Sequence, residues 1–538
     1  MRYSDLRSTS ELFKDFIYDP GALSRWLGPS FHDADSFRKT AARLLATEYD
    51  RDELARILRF QNEEFGASEP TLKNIEHIAD GNALCAIAGH QVVMLGGPAM
   101  ILHKALTVIK LSEKLSNLLA HPVVPVFWLA TDDHDFAEVD HVLLPRDDGS
   151  IEKISYSPAI PISDRAMADV ILDENSTQFI DMVSEQLAET EYKKELIEDL
   201  RRFYAPGKSI YESFARFLLN HLGRCGLVLV NPSNPGLRKL SASIVAREVS
   251  EFKSARDTIR LANQSLTDAG YHLQVERDEQ YLNLFHVDGM RTRVGFHDGR
   301  FFIEGVEDSV TEPALLDLIS NHPERFSPNV LLRPIVQSHL LPVLAFVGGP
   351  AEVAYSTQIG SLYDQFDVVP PVVCPRMSAT IVESRWAKFI DKNGVDMKQL
   401  QTISEREELL TALLKAKFPE GITASTDEGH QRVLDVLGEI RSKLGEEKSL
   451  LQALEQTRKK IDFELNSFKN RVFKAHRKAN DDFSQQFRKM AAHLFPEQSL
   501  QERLCSLVYF TNKYGPGIVE TIFNSLSIDD HDHQIIYL

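Results

Sequence analysis

The sequence predicts an α/β protein in which a parallel sheet is interrupted by insertions and followed by a long helical coiled coil. Three observations carry that reading. Short apolar runs stop abruptly at polar or glycine-rich residues, as where Val123–Ala130 meets Thr131-Asp132-Asp133-His134-Asp135. Amphipathic stretches separate those runs, with apolar positions three to four residues apart. A heptad-like apolar repeat then occupies much of the C-terminal part of the chain.

The elements follow in order. Residues 1–80 read as a helical layer, with one amphipathic pattern over Asp33–Gln61 and another helix over Thr71–Asp80. Residues 81–142 hold the first strand–helix–strand unit. The run Leu84–Ala88 enters Gly89-His90-Gln91. A loop at Gly96-Gly97-Pro98 then opens a helix with Ile101, Leu102, Ala105, Val108, Ile109 and Leu115 on one face. Residues 143–224 form a first insertion, with a β segment at Ile151–Tyr156 and a solvated helix face over Glu185–Arg202. Residues 225–270 return to the core with the strand Gly226–Val230 and a helix from about Gly236 to Gly270. Residues 271–330 form a second insertion, a meander turning at Asp288-Gly289 and Asp298-Gly299. Residues 331–378 complete the core: Leu341–Val347 leads into Gly348-Gly349-Pro350-Ala351, which repeats the residues of Gly96–Ala99, and Val368–Cys374 is the last strand. Five parallel strands with two insertions make an interrupted Rossmann-like sheet.

Residues 379–495 read as the coiled coil. Its repeat runs through Val433, Leu437, Ile440, Leu444, Leu451, Leu454, Ile461, Leu465, Phe468 and Val472, interrupted at Glu447 and Arg458. Helices at Ala379–Asp391 and Ser404–Lys417 are possible antiparallel partners. The apolar seam predicts a homodimer. Residues 496–538 form a tail packing on the core, ending in a strand at Gln534–Leu538.

Composition narrows the function. A net charge of -18 argues against general nucleic-acid binding, which draws its affinity from phosphate neutralisation. No apolar run is long enough to span a bilayer, and the start of the chain lacks a signal-peptide apolar core. The four cysteines, Cys85, Cys225, Cys374 and Cys505, are far apart in sequence, so they form no CxxC motif and read as reduced thiols of a cytoplasmic protein.

Ligands of open parallel sheets bind at the carboxyl ends of the strands, so the residues there are the candidates. Gly89-His90-Gln91 reads either as a polar turn or as donors to an anion. The two GGPA loops open helices whose first N–H groups are unpaired, and with Arg376 they predict one anion-binding crevice. Lys104 could reach a phosphate or only solvent. Asp132, Asp133, His134 and Asp135, with Glu138, Asp140 and His141, could bind a divalent metal, hold an ammonium group or act as a general base. Spacing for zinc is missing, and no metal is predicted. Arg376-Met377-Ser378-Ala379-Thr380 reads as the start of a helix, in the manner of the K-M-S-K-S loop of class I aminoacyl-tRNA synthetases. His531-Asp532-His533 reads as a surface segment.

Taken together, GHQ…GGP…HK, VPVFWLATDDHDFAEVDH, SPNVLLRPIVQ, FVGGPAEVAY, PRMSAT and NKYG resemble the cysteine-adding enzymes of bacillithiol biosynthesis, the BshC family, over nearly the whole chain. The resemblance implies a class I synthetase-like core, a dimerising coiled coil, and addition of cysteine to the amine of glucosaminyl-malate. It also implies ATP or another nucleotide. In that setting Asp133, His134, Asp135, His90 and Lys104 are the catalytic candidates. Gln91, His103, Arg333, Glu352 and Tyr355 are the substrate-binding candidates. Gly89, Gly97, Pro98, Gly348, Gly349, Pro350, Arg376, Ser378, Lys513 and Tyr514 are the nucleotide-binding candidates. The chain departs from the pattern at His90, where many members carry Gln, and it lacks the lysines of K-M-S-K-S. Two rival readings remain: another Rossmann-type ligase or nucleotidyltransferase, and a coiled-coil scaffold whose sheet has no ligand.

Overall fold

The apolar runs form the strands expected of them. In a computed structural model describing residues 1–162, 165–419 and 421–538, the central sheet among the described residues has five strands: β1 (Leu84–His90), β2 (Val123–Leu129), β3 (Val228–Val230), β4 (Val343–Gly348) and β5 (Val372–Pro375). Their order is β5-β4-β1-β2-β3, all parallel. Every residue of β2 and β4 is buried, which is why these strands read as unbroken apolar runs and not as alternating ones. The chain builds outward from β1 to β3 and then crosses back to β4. The order therefore reverses between β1 and β4, the place where such sheets open a crevice.

The chain divides into two units, Met1–Arg146 with Ile151–Ile381 and Ser499–Leu538, and Asp147–Ser150 with Val382–Gln498. In the first unit, helix α1 (Met100–Leu119) packs its apolar face on the sheet, and α2 (Ala242–Asp268) and α3 (Pro350–Gln365) follow β3 and β4. The second insertion is the expected meander, with strands Tyr281–Asp288, Met290–His297 and Arg300–Ile303, and Phe326–Pro328 adds a fourth strand beside the first. Its turns fall at Gly289 (φ 71°) and at Asp298 and Gly299 (φ 49° and 80°), the left-handed conformations that Asp-Gly pairs supply.

Several local expectations need correction. Asp33–Gln61 is two helices, Ala34–Leu45 and Arg51–Glu64. Glu185–Arg202 is also not one solvated helix. Asn175–Gln186 ends, and Lys193–Phe203 begins anew with Leu196, Ile197, Leu200 and Phe203 buried. Arg376–Thr380 does not open a helix. Ser378–Val382 is a strand paired with His533–Tyr537, and the helix starts later, at Ser384–Asn393. Local sequence pattern could not reveal this, because the strand's partner lies at the other end of the chain. His533 of the supposed surface segment is buried within this pair. Its ring nitrogens are 2.7 Å from Ser378 Oγ and 2.8 Å from Thr380 Oγ1.

The second unit is a helical hairpin and its supporting helices. The repeat read as one seam is divided between α4 (Ile422–Lys443) and α5 (Lys448–Ala479), which turn at Gly445 (φ 64°) and pack against each other. The main antiparallel partner is thus α4, while Ile403–Ala416 meets only the C-terminal end of α5, where His476 Nε2 is 3.1 Å from the Leu414 carbonyl and Arg477 pairs with Glu407 at 2.9 Å. His430 Nε2 lies 2.6 Å from Asp462 Oδ1, and Lys469 pairs with Asp427, which fixes the register of the hairpin.

One carboxylate closes the first unit. Glu502 Oε1 accepts from Arg376 (2.6 Å) and Ser378 Oγ (2.7 Å), and Oε2 accepts from His103 Nδ1 (2.8 Å) and the Ala379 N–H (3.0 Å). Burial alone would raise the Glu502 pKa. Arg376 and His103 instead hold it well below the usual carboxylate range. A depressed folded-state pKa means that the stabilisation is present above the unfolded value, about 4.3, and is lost as pH falls through the folded value. Glu502→Gln is therefore expected to lower stability by about 3–5 kcal/mol at pH 7. In urea melts the difference from wild type should shrink steadily as the pH is taken below about 4.

Candidate active site

The crevice between β1 and β4 is filled by the protein's own charges. Lys104, on α1 and only 2% exposed, donates to the Gly89 carbonyl (3.1 Å) and to Glu352 Oε1. Glu352 is at the third position of α3, and its Oε2 accepts the Gly349 N–H at 3.1 Å, satisfying one unpaired donor at the start of that helix. Burial pushes Glu352 up, but Lys104 outweighs it and leaves the carboxyl at about 2. Burial, reinforced by Lys104, drops His90 to about 3, so its imidazole stays neutral at physiological pH. Arg376 stands beside Gly349, where a Cβ would meet its Nε at 3.1 Å, but its guanidinium is committed to Glu502.

The single crevice predicted from Gly97, Gly349 and Arg376 is thus not an open cradle. The two GGPA loops share residues but not conformation. Gly97 is buried at φ 62°, with a Cβ position 2.5 Å from Val93 Cγ2, whereas Gly349 is extended. Beside Gly97, Pro98 bridges to Ser506, and the Ala99 N–H donates to the Cys505 carbonyl at 2.8 Å. A phosphate at these positions would have to displace Glu352, Glu502 or the Cys505 carbonyl. Of the residues expected to hold a nucleotide, Gly89, Gly349, Arg376 and Ser378 are bonded within the protein by Lys104, Glu352 and Glu502. Lys513 and Tyr514 lie in the helix Leu507–Tyr514, whose Asn512 bonds to Ala188 and Thr190 of the first insertion.

Next to this edge is a cavity of about 450 Å³ between the end of β2 and the meander. Trp128, Ala130, Asp132 and Asp133 line one side, and Arg277, Tyr281, Phe285, Arg291, Asn329 and Arg333 line the other. The acidic motif is partitioned here. Asp132 is neutralised by Arg238 and accepts from Ser233 Oγ at 3.0 Å. Among the described residues Asp133 pairs with no lysine or arginine, and His134 Nδ1 is 3.8 Å from its Oδ1. Asp133 Oδ2 accepts from Gln91 (2.5 Å) and its Oδ1 accepts the His134 N–H (2.8 Å). Gln91 also donates to Glu138 at 2.8 Å.

His134 turns toward the meander, 3.3 Å from Arg291. Arginine only donates, so His134 Nδ1 accepts and the proton belongs on Nε2. Asp135 is exposed at the start of the short helix Phe136–Val139 and is not among the cavity residues. Of the three predicted bases, the structure brings only Asp133 to the cavity.

Among the substrate candidates, Arg333 lines the cavity. It donates to the Tyr355 hydroxyl (2.5 Å) and to Gln337 (2.9 Å). His103 is withdrawn onto Glu502. Sequence reasoning missed Arg277 and Arg291. Arg291 spans Ser327 Oγ (3.1 Å) and the Pro328 carbonyl (2.9 Å), with its guanidinium 3.8 Å from the Phe285 ring centroid. Neither arginine sits at a core strand end, so no strand-end rule points to it. Among the described residues, no group of three or more His, Cys, Asp or Glu side chains could hold a metal ion.

A cavity at the carboxyl edge of a parallel sheet, with aromatic walls and a few converging charges, is how α/β enzymes hold small molecules, and an enzyme is the class that the comparisons define as well. Residues 1–377 match the family described as bacillithiol biosynthesis BshC, N-terminal Rossmann-like domain, and residues 379–538 match bacillithiol biosynthesis BshC, C-terminal coiled-coil domain. Three relatives named "Putative cysteine ligase BshC" align over almost their full lengths. That of Salinibacter ruber is 30% identical, covering 98% of this chain and 96% of its own. That of Koribacter versatilis is 30% identical over 99% and 98%, and that of Geobacillus kaustophilus 29% identical over 100% of both. The chain belongs to the BshC family and is a ligase.

The Lys104–Glu352 pair makes a testable contribution. Lys104→Met should cost about 3–5 kcal/mol, because it leaves the Glu352 carboxylate unpaired. Adding Glu352→Leu to Lys104→Met should recover most of that loss in thermal or urea unfolding. Equal instability of the single and double variants would mean that packing, not charge pairing, governs the site.

Proposed function

We propose that the protein joins the carboxyl group of cysteine to the amine of glucosaminyl-malate, forming the amide of bacillithiol. The observation that carries the reading, beyond family membership, is Asp133: a carboxylate that, among the described residues, no lysine or arginine pairs with, facing a cavity whose other wall is rich in arginine. A carboxylate is a poor electrophile, so the cysteine carboxyl has to be activated before an amine can displace its oxygen. ATP or another nucleotide is the proposed activator. Gly349 and Arg376, two of the expected phosphate-binding groups, are bonded to Glu352 and Glu502.

Chemistry assigns the remaining roles. The attacking amine must be neutral and loses a proton as the amide forms, so Asp133 Oδ2 or Oδ1 is the base and Gln91 orients it. Arg291 and Arg333 offer donors to the substrate carboxylates. His134, with Nδ1 accepting from Arg291, holds that arginine in place and does not take the amine proton.

Incubation of the purified protein with ATP, cysteine and glucosaminyl-malate should yield the thiol product together with AMP or ADP. Absence of product, or product without nucleotide, would overturn the ligase or the activation reading respectively. Asp133→Asn should reduce kcat/KM by about 10²–10⁴, while Asp135→Asn should change it by less than about threefold. Similar losses in both would refute the assignment of Asp133.

We also propose that the hairpin of α4 and α5 mediates a homodimer. Intrachain pairing leaves Val436 54%, Phe463 70% and Phe468 45% exposed, an apolar stripe that a second copy would cover. Sedimentation should give a dimer for the wild type and a monomer for Phe463→Glu/Phe468→Glu.

A further inference from the structure

Behind the cavity is a polar relay that the reaction described above does not use. Glu248, on α2, is 1% exposed, and Asn283, on the first meander strand, is 0% exposed. Glu248 Oε1 accepts both the Asn283 N–H (2.8 Å) and the Asn283 side-chain NH₂ (2.9 Å). Its other oxygen, Oε2, is buried with no hydrogen-bond partner among the described residues. Asn283 Oδ1 faces the other way and accepts from Arg277 and from Asn329 Nδ2 (3.1 Å). Arg277 and Asn329 both line the cavity.

The order of donors and acceptors makes the relay directional. Burial pushes the Glu248 pKa up to about 7, and in either protonation state the Oε1 that takes the Asn283 backbone N–H is an acceptor, so it bonds the NH₂ end of the Asn283 amide. That choice turns Oδ1 toward Arg277. Arg277 has Asn283 as its hydrogen-bond partner and, among the described residues, no carboxylate within ion-pair distance. Arg293 on the same wall differs in this respect, because Glu304 neutralises it at 2.7 Å. A half-buried guanidinium that keeps most of its donors open toward a cavity is built for an anionic oxygen. Asn329 strengthens the frame: its Oδ1 accepts the Leu331 and Leu332 N–H groups (2.9 and 3.0 Å) at the turn that leads to Arg333.

We propose that Arg277 binds a carboxylate of the substrate, and that Asn283 and Glu248 are positioning residues that hold it in the cavity. The proposal rests on the ligase reading for the identity of the substrate, glucosaminyl-malate, whose malyl group supplies the carboxylates. Glu248 never touches substrate. Its role is to fix the amide of Asn283, and through it the direction in which Arg277 presents its free N–H groups.

A double-mutant cycle on the full-length protein separates this role from a merely structural one. Binding of glucosaminyl-malate is read by titration calorimetry, which needs no turnover. Arg277→Gln should weaken binding about tenfold or more, the loss expected for a charge-assisted hydrogen-bond pair. Glu248→Ala should weaken it about fivefold to tenfold in the wild-type background but less than twofold in the Arg277→Gln background, because residues acting through one another are not additive. Equal losses in both backgrounds, or no loss from Arg277→Gln, would overturn the proposal. If Glu248→Ala does not fold, Glu248→Gln is read in the same cycle. It keeps an acceptor but also brings an NH₂ group, so the Asn283 amide is no longer held in one orientation, and the same dependence on Arg277 is required. Failure of the ligase reading shows separately: tight binding with the expected non-additivity, but no thiol product on addition of ATP and cysteine, would leave the carboxylate site standing and remove the reaction.

Discussion

The buried carboxylate of Glu502 is the interaction on which the carboxyl edge of the sheet depends. A fully buried anion is tolerable only if its lone pairs are satisfied and its charge is matched. Glu502 meets both demands with Arg376, Ser378, His103 and the Ala379 N–H. Those partners come from α1, from the segment after β5 and from the strand that pairs with the end of the chain. The carboxylate therefore gathers distant parts of the sequence into one place. The pairing of Ser378–Val382 with His533–Tyr537 and the N-terminal amine's bond to the His533 carbonyl (2.6 Å) extend the same closure to both chain ends.

That closure sorts the cations of the first unit into two groups. Lys104, Arg238, Arg293 and Arg376 each have a carboxylate partner and hold structure together. Arg277, Arg291 and Arg333 lean on amides, hydroxyls, carbonyls and rings instead, and all three line the cavity beside the paired Arg293. A neutralised guanidinium has little left to offer a ligand, whereas one held by neutral groups keeps its charge for whatever enters. The same distinction among the carboxylates picks Asp133 over Asp132. The chemistry of the site follows from which charges the fold leaves uncompensated more than from which charges the motif contains.

The fold was readily legible in the sequence because the core strands are buried on both faces. Leu84–Ala88, Val123–Leu129 and Val343–Val347 carry unbroken apolar runs that no surface segment would carry, and Asp-Gly pairs marked the meander turns. The segment Arg376–Val382 was misread because its apolar residues suit helix and strand alike, and its partner strand lies some 150 residues onward. Most of the heptad positions are part-buried between the two helices, but Ile440 and Phe468 stay exposed. What periodicity could not tell was that Gly445 turns the chain back, so that the two halves of the repeat face each other.

The sequence by itself determined the α/β core, the helical hairpin's apolar seam, the family and the acidic strand end at Asp132–Asp135. All of these rest on local pattern or on residue identity, which survive without coordinates. Only the tertiary structure decided which of those polar residues are free. Lys104 and Glu352 neutralise each other across 248 positions, Arg376 and Glu502 across 126, and Asp132 is answered by Arg238 across 106. Arg277 and Arg291 reach the cavity from an insertion that carries no strand-end signature. Charge compensation acts through space over a few ångströms, so a sequence can name the charged groups but not the pairs they form.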